Sequence, residues 1–171
     1  MSMLPRAILL IAAISLSACS NAGRFDNDNV TDLNGRNGAV VPGSPNDPAS
    51  PAFFQQSIGD RVLFEVDQST LTPEGRSVLD GQSSWLMTNS DYNAIIEGHA
   101  DEQGTREYNL ALGARRANAV REYLVSKGVA GARLKTVSYG KERPIEICSQ
   151  EGCYAKNRRA VTVIAADGLT S

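Results

Sequence analysis

The sequence predicts an α+β domain: a mixed four-stranded sheet in the order βαβαβ then β, with helices packed on one face, preceded by a disordered tether. Three observations carry that expectation. Four β-branched or aromatic runs, Arg61 to Val66, Tyr92 to Gly98, Leu134 to Tyr139 and Arg159 to Ala165, have strand length and composition. Two stretches between them have helix caps and apolar residues spaced by three and four. Ser20 to about Ser57 has neither pattern and is rich in Asn, Asp, Gly, Pro and Ser.

The 171 residues divide by composition into a segment at 1–18, a linker at 19–57, one domain at 58–166 and a tail at 167–171. The first segment reads as an export signal: Arg6 supplies the positive end and Ala7 to Leu16 the apolar run, too short to span a bilayer. Leu16-Ser17-Ala18-Cys19 resembles the lipobox of bacterial lipoproteins. That resemblance implies acylation of Cys19, cleavage before it and firm attachment by several acyl chains. Ser20 after the cysteine fits sorting to the outer membrane. With 17 basic and 19 acidic residues in the chain and no basic run, nothing points to nucleic acid. A mildly anionic module is not drawn to anionic lipid by charge, so the acyl chains must hold it there. The linker cannot bury enough apolar surface to offset its ordering. As a loose coil of about 37 residues it would reach roughly 30–35 Å, with Phe53, Phe54 and Ile58 marking where the chain begins to dock.

Within the domain, Thr72-Pro73-Glu74 has the chemistry of a helix start, an N-cap hydroxyl, proline at the first position and an acid in the first turn. Val78, Leu79, Trp85 and Leu86 form its apolar stripe, with Trp85 in the core. Thr105 caps the second helix, and Lys127-Gly128 ends it. A strand, a long helix and a strand imply a right-handed parallel crossover. Cys148 and Cys153 enclose only four residues, and in an oxidising compartment a disulfide between them is expected. A zinc site is disfavoured: the chain has one histidine, and no third cysteine remains once Cys19 is acylated. No cofactor is expected.

The functional expectation centres on Glu97 to Leu124, which reads as a strand end, a polar loop and a long helix. Taking Leu110, Ala117, Val120 and Leu124 as the buried face puts Arg115 towards water. Arg116 and Asn109, seven residues apart, then lie together on the flank. Asp101 in the loop and Arg116 on the flank could offer one pocket a negative and a positive group. By spacing alone they could equally form an internal salt bridge or be two solvated charges.

Asn109-x-x-Leu112-Gly113-x-x-Arg116-Ala117-x-x-Val120-x-x-x-Leu124 resembles the signature helix of the OmpA-like C-terminal peptidoglycan-binding domain. Together with VSYGKERP and YAKNRRAV, the run EGHADEQGTREYNLALGARRANAVREYL is similar to the lipid-anchored branch of that family, the peptidoglycan-associated lipoproteins. The resemblance spans roughly Val62 to Val163. It implies an outer-membrane lipoprotein that binds the diaminopimelate of the peptidoglycan stem peptide and tethers the outer membrane to the wall. It also implies membership of the Tol-Pal system, with TolB as partner and TolA as a further candidate. Carried over, Arg116 would take a carboxylate through two parallel donors, Asp101 the ammonium, and Asn109 would orient ligand or loop. The strand end from Phe64 to Asp67 would form the opposite wall. Ala100 stands where the family commonly has Thr, and Glu65-Val66-Asp67 where Asp-Phe-Asp is usual. Arg158 and Arg159 could meet ligand or simply pair with acids and loop carbonyls. His99, Asp101 and a serine supply a hydrolytic triad only on paper, since no nucleophile elbow accompanies them. No enzyme activity is expected. The alternative reading is an OmpA-like wall-binding lipoprotein without a Tol partner.

Overall fold

The structure, a computed structural model, describes residues 40–147 and 149–166. The expected signal segment, Cys19, most of the linker, Cys148 and the tail lie outside the described residues. Within them the order is α1 (Pro51–Phe53) running into a π-helical turn (Phe54–Gly59), then β1 (Arg61–Leu63), α2 (Pro73–Thr88) and β2 (Tyr92–His99). There follow α3 (Arg106–Ser126), a 3₁₀ turn (Gly131–Arg133), β3 (Leu134–Gly140), α4 (Glu151–Asn157) and β4 (Arg159–Ala166). The strands form one mixed sheet in the order β1-β4-β2-β3. As the helix between them predicts, β2 and β3 are parallel, and β4 runs antiparallel to both β1 and β2.

The caps act as their chemistry predicts. Thr72 and Thr105 side chains accept from the backbone N–H groups of Gly75 and Tyr108, and Gly128 takes φ +105° beyond the end of α3. Alternation along β2 buries Ala94, Ile96 and Gly98 towards the helices, where Leu79, Leu86, Val120 and Leu124 complete the core.

Two elements go beyond the sequence reading. Residues 51–57, expected in the linker, form with 58 and 59 a helical turn that packs on the domain, around the Phe53, Phe54 and Ile58 at which docking was expected to begin. Phe54 is buried with its ring 4.9 Å from that of Trp85, and Trp85 Nε1 donates to the Pro48 carbonyl at 2.7 Å. The docked chain therefore begins about ten residues before the expected boundary at 58, because an aromatic pair outweighs a composition that otherwise reads as loop. The second is α4, too short to show a helical period and placed where a loop was expected.

β1 is shorter than the expected Arg61 to Val66. The Phe64 N–H still meets the Arg158 carbonyl at 2.9 Å, but the Phe64 and Glu65 carbonyls accept from arginine side chains instead of a strand. The chain then turns through Asp67 at φ +58°.

The buried stripe of α3 also differs from expectation. Leu110 is 47% exposed, whereas Asn109, Leu112, Gly113 and Arg116 are buried with Ala117, Val120 and Leu124. At about 100° per residue, adding Asn109 and Leu112 rotates the centre of the stripe by about 45°. That rotation moves Leu110 off the face and brings Arg116 from the flank to the middle.

α3 crosses the sheet in backbone contact. A Cβ on Gly98 would lie 1.8 Å from the Gly113 carbonyl oxygen, and one on Gly113 2.4 Å from Ser138 Oγ and 2.8 Å from the Gly98 oxygen. Two of these three obstacles are backbone, and the third, Ser138 Oγ, is held by its hydrogen bond to the Leu110 carbonyl. Gly98→Ala and Gly113→Ala should each lower the unfolding free energy by about 3 kcal/mol or more, at the upper end for overpacking. Urea titration of either variant showing a loss below about 0.5 kcal/mol would contradict this close approach.

Candidate functional site

The site is assembled where β2 ends. The Ala100 N–H donates to the Gly140 carbonyl at 2.8 Å, keeping the chain on the sheet one residue past the strand, and Asp101 opens the loop. Asp101 Oδ1 accepts from the Gln103 N–H at 3.2 Å, an Asx-type bond that curls the loop back. Asn109, buried in the first turns of α3, donates from Nδ2 to the Gln103 carbonyl at 2.6 Å. Of the two roles expected for its amide, orienting the loop is the one seen. Lys141 Nζ secures the loop from the other side, 2.7 Å from the Gly104 carbonyl.

Facing this loop is the turn after β1. Between them lies a cleft of about 260 Å³ whose lining includes Val66, Asp67, Asp101, Gln103, Tyr108 and Asn109. Three expected site residues, Asp67, Asp101 and Asn109, are thus brought together. Two are not in the lining. Phe64 is 3% exposed and belongs to the core, so Val66 rather than Phe64 supplies the apolar wall. Phe64 lies beneath the charge, its ring centroid 5.3 Å from the Arg116 guanidinium carbon.

Arg116 is fully buried. Its Nε donates to the Gln68 carbonyl at 2.8 Å, Nη1 to the His99 carbonyl at 2.8 Å and Nη2 to the Glu65 carbonyl at 3.2 Å. The guanidinium therefore spends its fork on backbone, not on Asp101. Burial lowers its pKa to about 10, with Asp101 partly restoring it, so it remains a cation at neutral pH.

The partner of Asp101 is Arg158. Its Nη1 donates to Asp101 Oδ2 at 3.2 Å, Nη2 to Glu151 Oε1 at 2.5 Å and Nε to the Phe64 carbonyl at 3.2 Å. Burial opposes the Arg158 charge, but the bonds to Glu151 and Asp101 together hold its pKa above the usual value. Arg159 donates to the Asn157 and Arg143 carbonyls. Arg158 thus meets two acids and a carbonyl, and Arg159 two carbonyls. Asn157 accepts from the N–H groups of Ile145 and Glu146 and donates to Glu102 Oε2 at 3.2 Å, joining α4 to the cleft loop. Sequence reasoning missed Tyr108 and Glu151: an aromatic in a first helical turn and an acid in a short polar stretch between two cysteines carry no signal of their own.

His99 is 2% exposed, and neither ring nitrogen has a hydrogen-bond partner. Asp101 is paired with Arg158 and not with this imidazole. Glu97 Oε2 stands 3.6 Å from Nε2. Burial, then the positive charges of Arg159 and Arg143, nevertheless push the His99 pKa down to about 4. Among the described residues no group of three or more His, Cys, Asp or Glu side chains is placed to hold a metal ion, and no helix is long and apolar enough to cross a membrane.

The model of the OmpA family matches residues 63–158. The chain is 47% identical over 164 residues to the peptidoglycan-associated lipoprotein of Mesorhizobium japonicum, covering 96% of this chain and 94% of that one. It is 45% identical to the protein of the same name from Rhizobium meliloti, covering 96% and 89%. Among solved structures it is similar to the peptidoglycan-associated lipoprotein of Burkholderia pseudomallei, with TM-score 0.63 and 37% identity over 71% of this chain and 98% of that one. The C-terminal domain of Helicobacter pylori MotB, 21% identical with TM-score 0.59 over 64% of this chain and 86% of that one, shares the fold.

A buried neutral imidazole makes stability depend on pH in a defined direction. The folded pKa near 4 lies below the unfolded value near 6.5, so the contribution is intact above about pH 6.5 and is lost as pH falls towards 4. The gap corresponds to about 3 kcal/mol. Urea unfolding from pH 7 to pH 4 should therefore show a steeper loss in the wild type than in His99→Phe. Parallel profiles would contradict a neutral His99.

Proposed function

Because the chain belongs to the OmpA family, and within it to the peptidoglycan-associated lipoproteins, we propose that it anchors the outer membrane to the cell wall. In this reading acylated Cys19 holds the chain in the periplasmic face of the outer membrane. The linker gives the domain its reach, and the cleft grips the diaminopimelate residue of the stem peptide without a covalent bond.

The observation that carries the proposal is the cleft itself. Two carboxylates, Asp67 and Asp101, stand in its lining, and the buried Arg116 cation lies close enough for the charges of both to act on it. A ligand bearing an ammonium and a carboxylate on one carbon complements that pattern, whereas a simple anion or cation satisfies half of it. Asp101 takes the ammonium at the edge of its pair with Arg158. Arg116 acts from beneath: its guanidinium is buried and bonded to three carbonyls, so its charge rather than a direct bond attracts the ligand's carboxylate. Asn109 contributes by fixing the loop. Cys153 lies in the first turns of α4, the helix that supplies Glu151 to Arg158. A Cys148–Cys153 disulfide would pin the start of that helix.

The second half of the proposal is a place in the Tol-Pal system at cell division, with TolB as direct partner, TolA as a further one, and TolB and peptidoglycan competing for the cleft. The alternative is a wall anchor of the same family that has no Tol partner. Binding of purified TolB to the full chain, and its relief by added muropeptide, distinguishes the two.

Asp101→Asn keeps an oxygen for the Gln103 N–H but removes the charge, and should weaken co-sedimentation with purified sacculi by roughly 30-fold or more. Arg116→Ala should abolish it and also cost about 3–5 kcal/mol of stability, because three carbonyls lose their donor. Wild-type retention by both variants would defeat the wall-binding assignment.

A further inference from the structure

The turn 65–68 wraps the Arg116 guanidinium. Its two outer residues, Glu65 and Gln68, offer their carbonyls to Arg116, while the side chain of Asp67 between them reaches across the cleft. There Asp67 Oδ1 accepts a hydrogen bond from the Tyr108 hydroxyl, joining the β1–α2 turn to the first turns of α3, 41 residues away in sequence. Both side chains are exposed, and Arg115 flanks the Tyr108 ring with its guanidinium carbon 5.9 Å from the centroid. Asp67 holds this crossing from a left-handed backbone, φ +58°. The two carboxylates of the cleft are therefore unequal. Asp101 is tied to the buried cation of Arg158, whereas the hydrogen bond of Asp67 runs to an uncharged phenol.

We propose that Tyr108 and Asp67 form a latch across the cleft, which a zwitterionic amino-acid head group opens by exchange. The incoming ammonium, bonded to Asp101 through one N–H, replaces the phenol on Asp67 through another, and the incoming carboxylate takes the freed Tyr108 hydroxyl above the buried Arg116 cation. This deepens the proposed function and rests on it. Each end of the latch receives a partner in return, so opening leaves no polar group without one. A ligand with its amine blocked fails this exchange: its carboxylate must approach two acids with nothing to neutralise Asp67. Breaking the exposed phenol bond is also far easier than parting the buried Arg158–Asp101 pair, which makes Asp67 and Tyr108 the first groups to yield.

The test uses the full-length protein in detergent, with a murein tripeptide ending in meso-diaminopimelate and the same peptide acetylated on its side-chain amine. Tyr108→Phe removes the hydroxyl from both the closed and the bound state. It should therefore raise the association and dissociation rates together, each on the order of 5-fold, with little change in Kd. An association rate within about twofold of wild type overturns the latch. Asp67→Asn should reduce the preference for the free-amine peptide from about 10-fold or more to under about 3-fold, and an undiminished preference likewise overturns it. Both positions are exposed, so unchanged thermal unfolding confirms that the variants fold. If the wild type binds the free-amine peptide while Tyr108→Phe and Asp67→Asn behave like it, the latch alone fails. If the wild type does not bind, the latch and the wall-binding reading fail together.

Discussion

The structure around the cleft depends on one buried guanidinium. Arg116 joins three segments: the end of β2 through the His99 carbonyl, the turn after β1 through Glu65 and Gln68, and α3, which carries it. Burying a charge costs several kcal/mol, and bonds from a charged donor recover about 1.5–3 kcal/mol each, so the arrangement is close to neutral in stability. What it secures is geometry. Once Arg158 and Arg116 claim the Phe64 and Glu65 carbonyls, β1 cannot continue, and the chain must turn at Asp67. The short strand and the cleft wall have the same cause.

The guanidinium reaches those carbonyls only because α3 lies directly on the sheet. The Gly98–Gly113 contact removes the layer of side chains that normally separates a helix from a sheet, and Ser138 Oγ donates to the Leu110 carbonyl across the same seam at 2.6 Å. Any β-carbon at the crossing would lift α3 and with it both Arg116 and Asn109. The glycines therefore set the depth of the cation beneath the cleft, although neither touches the cleft.

A second network settles the charge of the cleft from behind. Arg158 links Asp101 to Glu151, and Asn157 links Glu102 to the backbone of residues 145 and 146. Through these contacts the loop that opens the site is braced by α4 and the start of β4, more than fifty residues away in sequence. Asp101 is thereby partly neutralised before any ligand arrives by a direct ion pair, while the hydrogen bond of Asp67 runs to the uncharged Tyr108 hydroxyl. Two carboxylates of the same chemistry acquire different availability from their neighbours alone.

The sequence by itself determined the class of fold, the helix caps at Thr72 and Thr105, the parallel pairing of β2 and β3, and the gathering of Asp67, Asp101 and Asn109 at one place. The first three follow from local chemistry, from a pattern that repeats along one element or from the order of the elements, whereas the gathering of Asp67, Asp101 and Asn109 came from the family resemblance. It also identified Arg116 as the residue of interest, through its place in a motif. Tertiary structure alone decided that Arg116 lies in the middle of the buried stripe, because Asn109 and Leu112 shift that stripe and nothing about Asn marks it as buried. Tertiary structure likewise chose Arg158 over Arg116 as the partner of Asp101, moved Phe64 from the wall into the core, and drew the docked chain back to Pro48 through its bond from Trp85. Each of these depends on which groups from distant segments compete for the same donor or the same space, and that competition exists only once the segments are in contact.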